Sequence, residues 1–340
     1  MSTARLSERS PSIAPEALIA SMVPPPRFDK VRFDTYIPNP EEPSQAEAVT
    51  ACADFARSLG APRESKLRKV FGRASKAQGR GLYLDGGFGV GKTHLLASIW
   101  HATEGEKAYG TFVELTNLVG ALGFRTAVEK LSGHRLLAID EFELDDPGDT
   151  MLVTKLISEL ADAGVSIAAT SNTLPGKLGE GRFAAEDFLR EIHAMASRFD
   201  VVRVDGPDYR HRGLPEAPDP SDDARLRARA EATAGATLDG FDELCEYLAT
   251  LHPSKYGVLL DGVELVCLSQ THAIGRQDVA LRFVALADRL YDRAIPVAVS
   301  GKPIPELFTE EMLAGGYRKK YLRAISRLIA LSRDAGADED

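Results

Sequence analysis

The sequence predicts an α/β protein with a parallel five-stranded sheet, followed by a smaller mixed, mainly helical C-terminal domain. Three observations carry this expectation. Short apolar runs alternate with helix-period segments between residues 81 and 204, the pattern of a parallel sheet covered on both faces. The first run, Gly81-Leu82-Tyr83-Leu84-Asp85, leads into a glycine-rich stretch that opens a helix. The third run ends in two adjacent acids, Asp140 and Glu141.

In chain order, residues 1–26 are rich in Ser, Ala and Pro and read as a flexible arm. A helix is expected from Pro43, capped by Ser44, because Ala48, Cys52, Phe55 and Leu59 fall on one face. The five expected strands are Gly81–Asp85, Thr111–Leu115, Arg135–Asp140, Val165–Thr170 and Val201–Val204. Helices are expected over Lys92–Ala102, after Thr116 as cap, over Asp149–Ala163 and over residues 182–198. The clearest is Asp149–Ala163, where Leu152, Leu156 and Leu160 recur every fourth residue and Gly164 stops the helix.

After Arg212 the composition shifts, so the core is assigned to residues 27–212 and a Pro-bearing connector with a charged Ala/Arg helix to 213–238. A C-terminal lid-like domain is expected over 239–332, with apolar runs at Gly257–Leu260 and Ile295–Ser300, and an acidic tail over 333–340.

The 340 residues suit two domains, and a net charge of -9 argues against a dedicated nucleic-acid binder. A basic stripe, Lys66, Arg68, Lys69, Arg73, Lys76 and Arg80, reads as a solvated face. The three cysteines form no CxxC pair, which suggests neither a zinc site nor a disulfide frame and suits a reducing cytoplasm. No apolar run approaches the ~20 residues of a membrane span. The N-terminus lacks a signal-peptide pattern, because prolines interrupt its apolar stretches.

The chemistry is carried by Gly86-Gly87-Phe88-Gly89-Val90-Gly91-Lys92-Thr93, a GxxxxGK[ST] match between a strand and a helix. Glycines let backbone N–H groups turn inward around a phosphate, and the helix start aims its positive end at the same charge. Lys92 would reach the β- and γ-phosphates of ATP, and Thr93 would offer its hydroxyl to Mg2+. His94, next in that helix, is counted with the nucleotide-binding residues. Asp140 would hold the metal and Glu141 would act as general base toward water, both at the sheet edge that carries the glycine loop. Asn172, in Thr170-Ser171-Asn172 at the end of the fourth strand, would sense the γ-phosphate. These motifs together are those of a P-loop NTPase of the AAA+ type. Candidate arginine fingers are Arg198, just before the fifth strand, and Arg182 on the preceding helix. Arg323 and Arg327 share a helix face near the C-terminus, so either could close over the phosphates, with Arg327 counted among the nucleotide-binding residues; a plain basic face is the alternative.

The chain resembles the ZapE family, also called AFG-like ATPases. The resemblance rests on the glycine loop, Asp140-Glu141-Phe142, Ala169 to Asn172, Asp208-Tyr209-Arg210, Gly240 to Cys245, Arg282-Phe283 and Ser326-Arg327-Leu328, and spans about residues 28–332. It implies a cytoplasmic ATPase, with the tubulin-like protein FtsZ as the partner associated with bacterial members. The chain departs from the family pattern at Arg182 to Asp187 and at Arg190, which bears on the trans-acting arginine.

The expected function is Mg2+-dependent ATP hydrolysis coupled to remodelling of a protein partner, in a nucleotide-dependent homo-oligomer. Two alternatives stay open on the residues alone. One is a nucleic-acid-associated AAA+ helper resembling helicase loaders, and the other is a nucleotide switch with slow turnover.

Overall fold

The computed structural model describes residues 4–12, 15–60, 78–142, 147–174, 189–207 and 217–336. In chain order the elements are α1 (Pro15–Ala20), α2 (Pro43–Gly60), β1 (Gly81–Gly86), α3 (Lys92–Ala102), β2 (Lys107–Thr111), α4 (Phe112–Leu122), α5 (Phe124–Leu131), β3 (Leu136–Asp140), α6 (Pro147–Asp162), β4 (Ser166–Ser171), α7 (Leu189–Ala196) and β5 (Phe199–Val204). There follow α8 (Asp223–Ala232), β6 (Ala236–Gly240), α9 (Phe241–Thr250), α10 (Tyr256–Leu259), β7 (Leu265–Thr271), α11 (Gln277–Asp292), β8 (Val297–Gly301), α12 (Glu310–Ala314) and α13 (Arg318–Gly336). The chain divides into two compact units.

The first unit, residues 14–24 and 28–209, holds a parallel five-stranded sheet in the order β2-β3-β4-β1-β5. Alternation along β1 explains its layers. Leu82 and Leu84 join a buried cluster with Ala48, Cys52 and Phe55 of α2 and Leu95, Leu96 and Ile99 of α3. Tyr83 points the other way, edge-on to Phe142 at 6.4 Å and Phe199 at 5.7 Å. The register sets Leu84 opposite both Thr170 and Val202, and Thr111 opposite Asp140. The carboxyl ends of β1, β3 and β4 therefore lie along one edge of the sheet.

The second strand is not where the sequence predicts it. β2 ends at Thr111, and residues 112–115 are helical. The reason is a capping box: Thr111 Oγ1 accepts the Glu114 N–H at 3.3 Å, and the Glu114 carboxylate accepts the Thr111 N–H at 2.7 Å. The apolar run Phe112-Val113 is thus the first turn of α4, and Thr111 rather than Thr116 is its cap.

The second unit comprises residues 1–13, 25–27 and 210–340. Its mixed character has a definite form, a parallel three-stranded sheet in the order β6-β7-β8. Val266 and Leu268 of β7 pack into a core with Phe241, Phe283 and Tyr321, while Leu265 and Cys267 face Leu226 and Ala230 of α8. The run Gly257–Leu260, expected as an apolar segment of unassigned form, lies largely in α10.

Two expectations need correction. The connector 213–238 holds its expected charged helix as α8, but α8 and most of β6 turn apolar faces into this unit's core. The arm 1–26 is also docked where it is described. Leu6 is fully buried, Ala4 pairs with Thr237, and the buried Asp239 carboxylate accepts the N–H groups of Leu6 and Ser7, both at 2.9 Å, and the Ser7 hydroxyl at 2.8 Å. One apolar anchor and one carboxylate that satisfies three donors fix a stretch that composition reads as free. Most of the basic stripe, Lys66 to Lys76, lies outside the described residues.

Candidate nucleotide site

The glycine loop leaves β1 and enters α3 through Gly91, which has a φ of 90°. A side chain there would be strained, and its Cβ would meet the Tyr36 ring at 2.4 Å. Tyr36 is buried beneath the loop, and its hydroxyl donates to the Val90 carbonyl at 2.6 Å. The segment before α2 thus braces the loop from below. Phe28, Phe33 and Tyr36 join the α2–α3 cluster. Gly86 is required by close approach, because a Cβ would sit 2.0 Å from the Val204 carbonyl oxygen. Gly91 brings no side chain to cap α3, whose positive end faces the loop.

Lys92 is buried, and its ammonium donates to the carbonyls of Gly86 at 2.9 Å and Gly87 at 2.5 Å. It also donates to the Asn172 side-chain oxygen at 3.0 Å. Asn172 thus meets Lys92, on the side where sequence reasoning places a γ-phosphate sensor. The Thr93 hydroxyl lies 3.3 Å from Asp140 Oδ1. Asp140 is buried at the end of β3 and gathers further donors: Thr170 Oγ1 on the same oxygen, and the Tyr109 hydroxyl on Oδ2 at 3.0 Å. Glu141 has a φ of 53°, unusual for a residue with a side chain. Its N–H points at Asp140 Oδ1 and Thr170 Oγ1, both at 3.1 Å. This turn separates the two acids, burying Asp140 and leaving Glu141 partly exposed.

Thr93 and Asp140 are hard oxygen donors within hydrogen-bond reach of each other, beside the loop that would carry the phosphates. That donor chemistry fits Mg2+, which takes one or two protein oxygens and completes its shell with phosphate and water.

The other sequence candidates are placed differently. The His94 ring turns to the segment before α2, with Nε2 3.0 Å from both the Arg32 carbonyl and Thr35 Oγ1. A carbonyl only accepts, so Nε2 carries the proton, and burial lowers the pKa. His94 therefore braces the loop's support. Arg198 stands at the amino end of β5, opposite the loop's edge, bound to Asp162 at 3.0 Å and Ser158 Oγ at 3.1 Å on α6. It cannot reach this chain's own phosphate position from there. Arg182 lies outside the described residues. Arg327 and Arg323 pair with Asp288 of α11, and all three side chains are nearly buried, at 11%, 8% and 13% exposure. One carboxylate engages both cations, which is the alternative of a structural role for this basic face.

Sequence reasoning missed Tyr109 and Thr170 as holders of Asp140. Thr170 stood in a recognised polar strand end. Tyr109 is hidden because the run Thr111–Leu115 imitates a strand, while β2 itself spans Lys107–Thr111.

The model of the AFG1-like ATPase family matches residues 13–225 and 218–336. The chain belongs to the AFG1-like ATPase family. An AFG1-like chain is thus an ATPase, and the parallel sheet with its glycine loop is the corresponding nucleotide-binding core. Among curated relatives, the cell division protein ZapE of Escherichia coli K12 is 28% identical over 320 residues, which covers 79% of this chain and 84% of that protein. Lactation elevated protein 1 homolog B of Danio rerio is 24% identical over 229 residues, covering 56% of this chain and 45% of its own. Among solved structures, AMPPCP-bound DnaA from Aquifex aeolicus aligns with a TM-score of 0.40 at 11% identity, covering 92% of each chain. The DnaC helicase loader aligns at 0.37 and 17% identity, covering 53% of this chain and 99% of its own. No described helix is long and apolar enough to cross a membrane.

Proposed function

We propose that this AFG1-like chain hydrolyses ATP with Mg2+ and couples turnover to remodelling a protein partner in the cytoplasm, with the division protein FtsZ as the first partner to test. The observation that carries the catalytic part is the convergence of Lys92, Thr93, Asp140 and Asn172 at one sheet edge, through contacts of 3.0 to 3.3 Å. Support for the partner class comes from the similarity to a cell division protein over 79% of the chain.

ATP phosphates occupy the loop Gly86 to Thr93, and Lys92 exchanges its carbonyl partners for phosphate oxygens. This places a positive charge where negative charge develops during transfer. Thr93 and Asp140 hold the cation, which supplies charge neutralisation on the phosphates when bound. Glu141 orients a water and takes its proton as the oxygen attacks the γ-phosphorus in line. The bond from the γ-phosphorus to the bridging oxygen breaks, and ADP leaves. Asn172 releases Lys92 and contacts the γ-phosphate. Arg198 acts on a neighbouring copy, after leaving Asp162.

The test is steady-state ATP turnover by wild type and Glu141→Gln, with and without FtsZ. Turnover that the mutant loses while still binding ATP, and that FtsZ stimulates, supports the whole reading. Undiminished turnover by Glu141→Gln rejects the assigned base. Indifference to FtsZ rejects that partner and leaves the ATPase intact.

A further inference from the structure

We propose that Tyr109 is a positioning residue for Asp140, one that fixes which carboxylate oxygen faces the cation. The inference rests on the reading of Asp140 and Thr93 as the metal-facing pair.

An aspartate at a strand end can rotate about its terminal torsion, and the two oxygens are then interchangeable. Here they are not equivalent. Oδ2 accepts the Tyr109 hydroxyl at 3.0 Å, in buried surroundings. Oδ1 lies 3.3 Å from the Thr93 hydroxyl and also receives Thr170. Tyr109 is itself buried at 3% exposure, in the middle of β2 and opposite Ala138 of β3. Its ring cannot swing away without opening the sheet's layer. The backbone of this residue is held as well. β2 is an edge strand, and the Tyr109 N–H donates to the Met22 carbonyl at 2.8 Å. Met22 is buried, and its Cε lies 3.2 Å from where a Cβ on Gly110 would stand. The segment just after α1 thus closes the edge at the strand position that carries the phenol.

The phenol therefore spends its donor on the oxygen that faces away from Thr93. Oδ1 stays aimed at the position shared with the threonine hydroxyl. A carboxylate pinned in this way binds a cation with less loss of torsional freedom, and outer partners of this kind typically contribute 10–100-fold in metal affinity. Tyr109 touches neither phosphate nor water on this account, and it acts through Asp140.

The decisive measurement is equilibrium binding of a fluorescent ATP analogue to full-length wild type, Tyr109→Phe and Asp140→Asn, each in EDTA and across a Mg2+ titration. Circular dichroism checks that each variant is folded. Tyr109→Phe keeps the ring and removes one oxygen. The expected result is unchanged affinity in EDTA and a Mg2+ midpoint raised about tenfold or more. A purely structural tyrosine would weaken binding equally in both conditions, and that result overturns the proposal. An unchanged Mg2+ midpoint in Tyr109→Phe alone, with Asp140→Asn shifted, also overturns it. An unchanged midpoint in both variants rejects the metal-facing reading of Asp140 and the proposal with it. Should Tyr109→Phe fail to fold, Thr170→Val tests the same pinning from the other side, and an unshifted midpoint there counts against it.

Discussion

Glu141 stores backbone strain at the end of β3. Its φ of 53° lies in the left-handed region, which costs a residue with a side chain about 1–2 kcal/mol. Its N–H is thereby turned onto Asp140 and Thr170. Glu141→Gly is expected to be at least as stable as wild type in urea melts while losing turnover, whereas a clear loss of stability would show that the turn carries no strain. The Asp288 triad makes an opposite kind of prediction. Asp288→Ala removes the carboxylate that two nearly buried guanidiniums share and should cost about 3–5 kcal/mol in the same assay. If Arg327 instead served the phosphates, Arg327→Ala would depress turnover and leave the melt unmoved. His272 gives a pH signature. Its ring bonds the Ala273 carbonyl at 3.1 Å and the Asp242 carboxylate at 2.8 Å, and these contacts raise its pKa above 6.5. A raised folded value means the stabilisation is fully present below pH 6.5 and fades as pH rises through the folded pKa. The difference in melting temperature between wild type and Asp242→Asn should accordingly shrink from pH 6 to pH 8, by a small amount because both groups are solvent-exposed.

At the level of elements, what was legible depended on how local the deciding signal was. The strand–glycine loop–helix unit around Lys92 and the strand ending at Asp140 announce themselves by composition and spacing, and the structure places them within a residue or two. The boundary at Thr111 was missed because a β-branched and aromatic run imitates a strand, while the deciding contact is a side chain three residues on. Thr111→Ala should destabilise α4 by about 1 kcal/mol, measurable by hydrogen exchange across residues 112–118. The Leu6 anchor could not be read at all, since its partner Asp239 lies 233 residues away. Leu6→Ala should cost about 2–5 kcal/mol if the segment is held as described, and near-zero cost would mean it is not. Pairings of that kind leave no periodic trace, so composition alone reads a docked segment as loose.

For the whole molecule, the sequence held enough to expect two units and the order of chemistry along one sheet. It did not reveal that the second unit has a parallel sheet of its own. β6 is contributed partly by residues that look like a connector. Nor did it separate the arginines, since a guanidinium engaged by a carboxylate and one offered to a neighbour have the same letter. Assembly provides the test of Arg198. Arg198→Ala should bind ATP like wild type but lose turnover only where the protein is oligomeric, as judged by light scattering with a non-hydrolysable analogue; equal loss in the monomer would place its role in folding through Asp162.

The chain's itinerary has a practical corollary. It starts in one unit, enters the other at residue 14, returns for residues 25–27, goes back until 209 and finishes where it began. No single scissor cut yields either unit whole. A fragment beginning near residue 210 would lack the leucine that fills its own interior, and one beginning near residue 28 would lack the methionine that closes the edge of its sheet. Anyone expressing the halves separately should supply the missing leader as a peptide, and recovery of folded material on adding it would measure how much of each half the first two dozen residues complete.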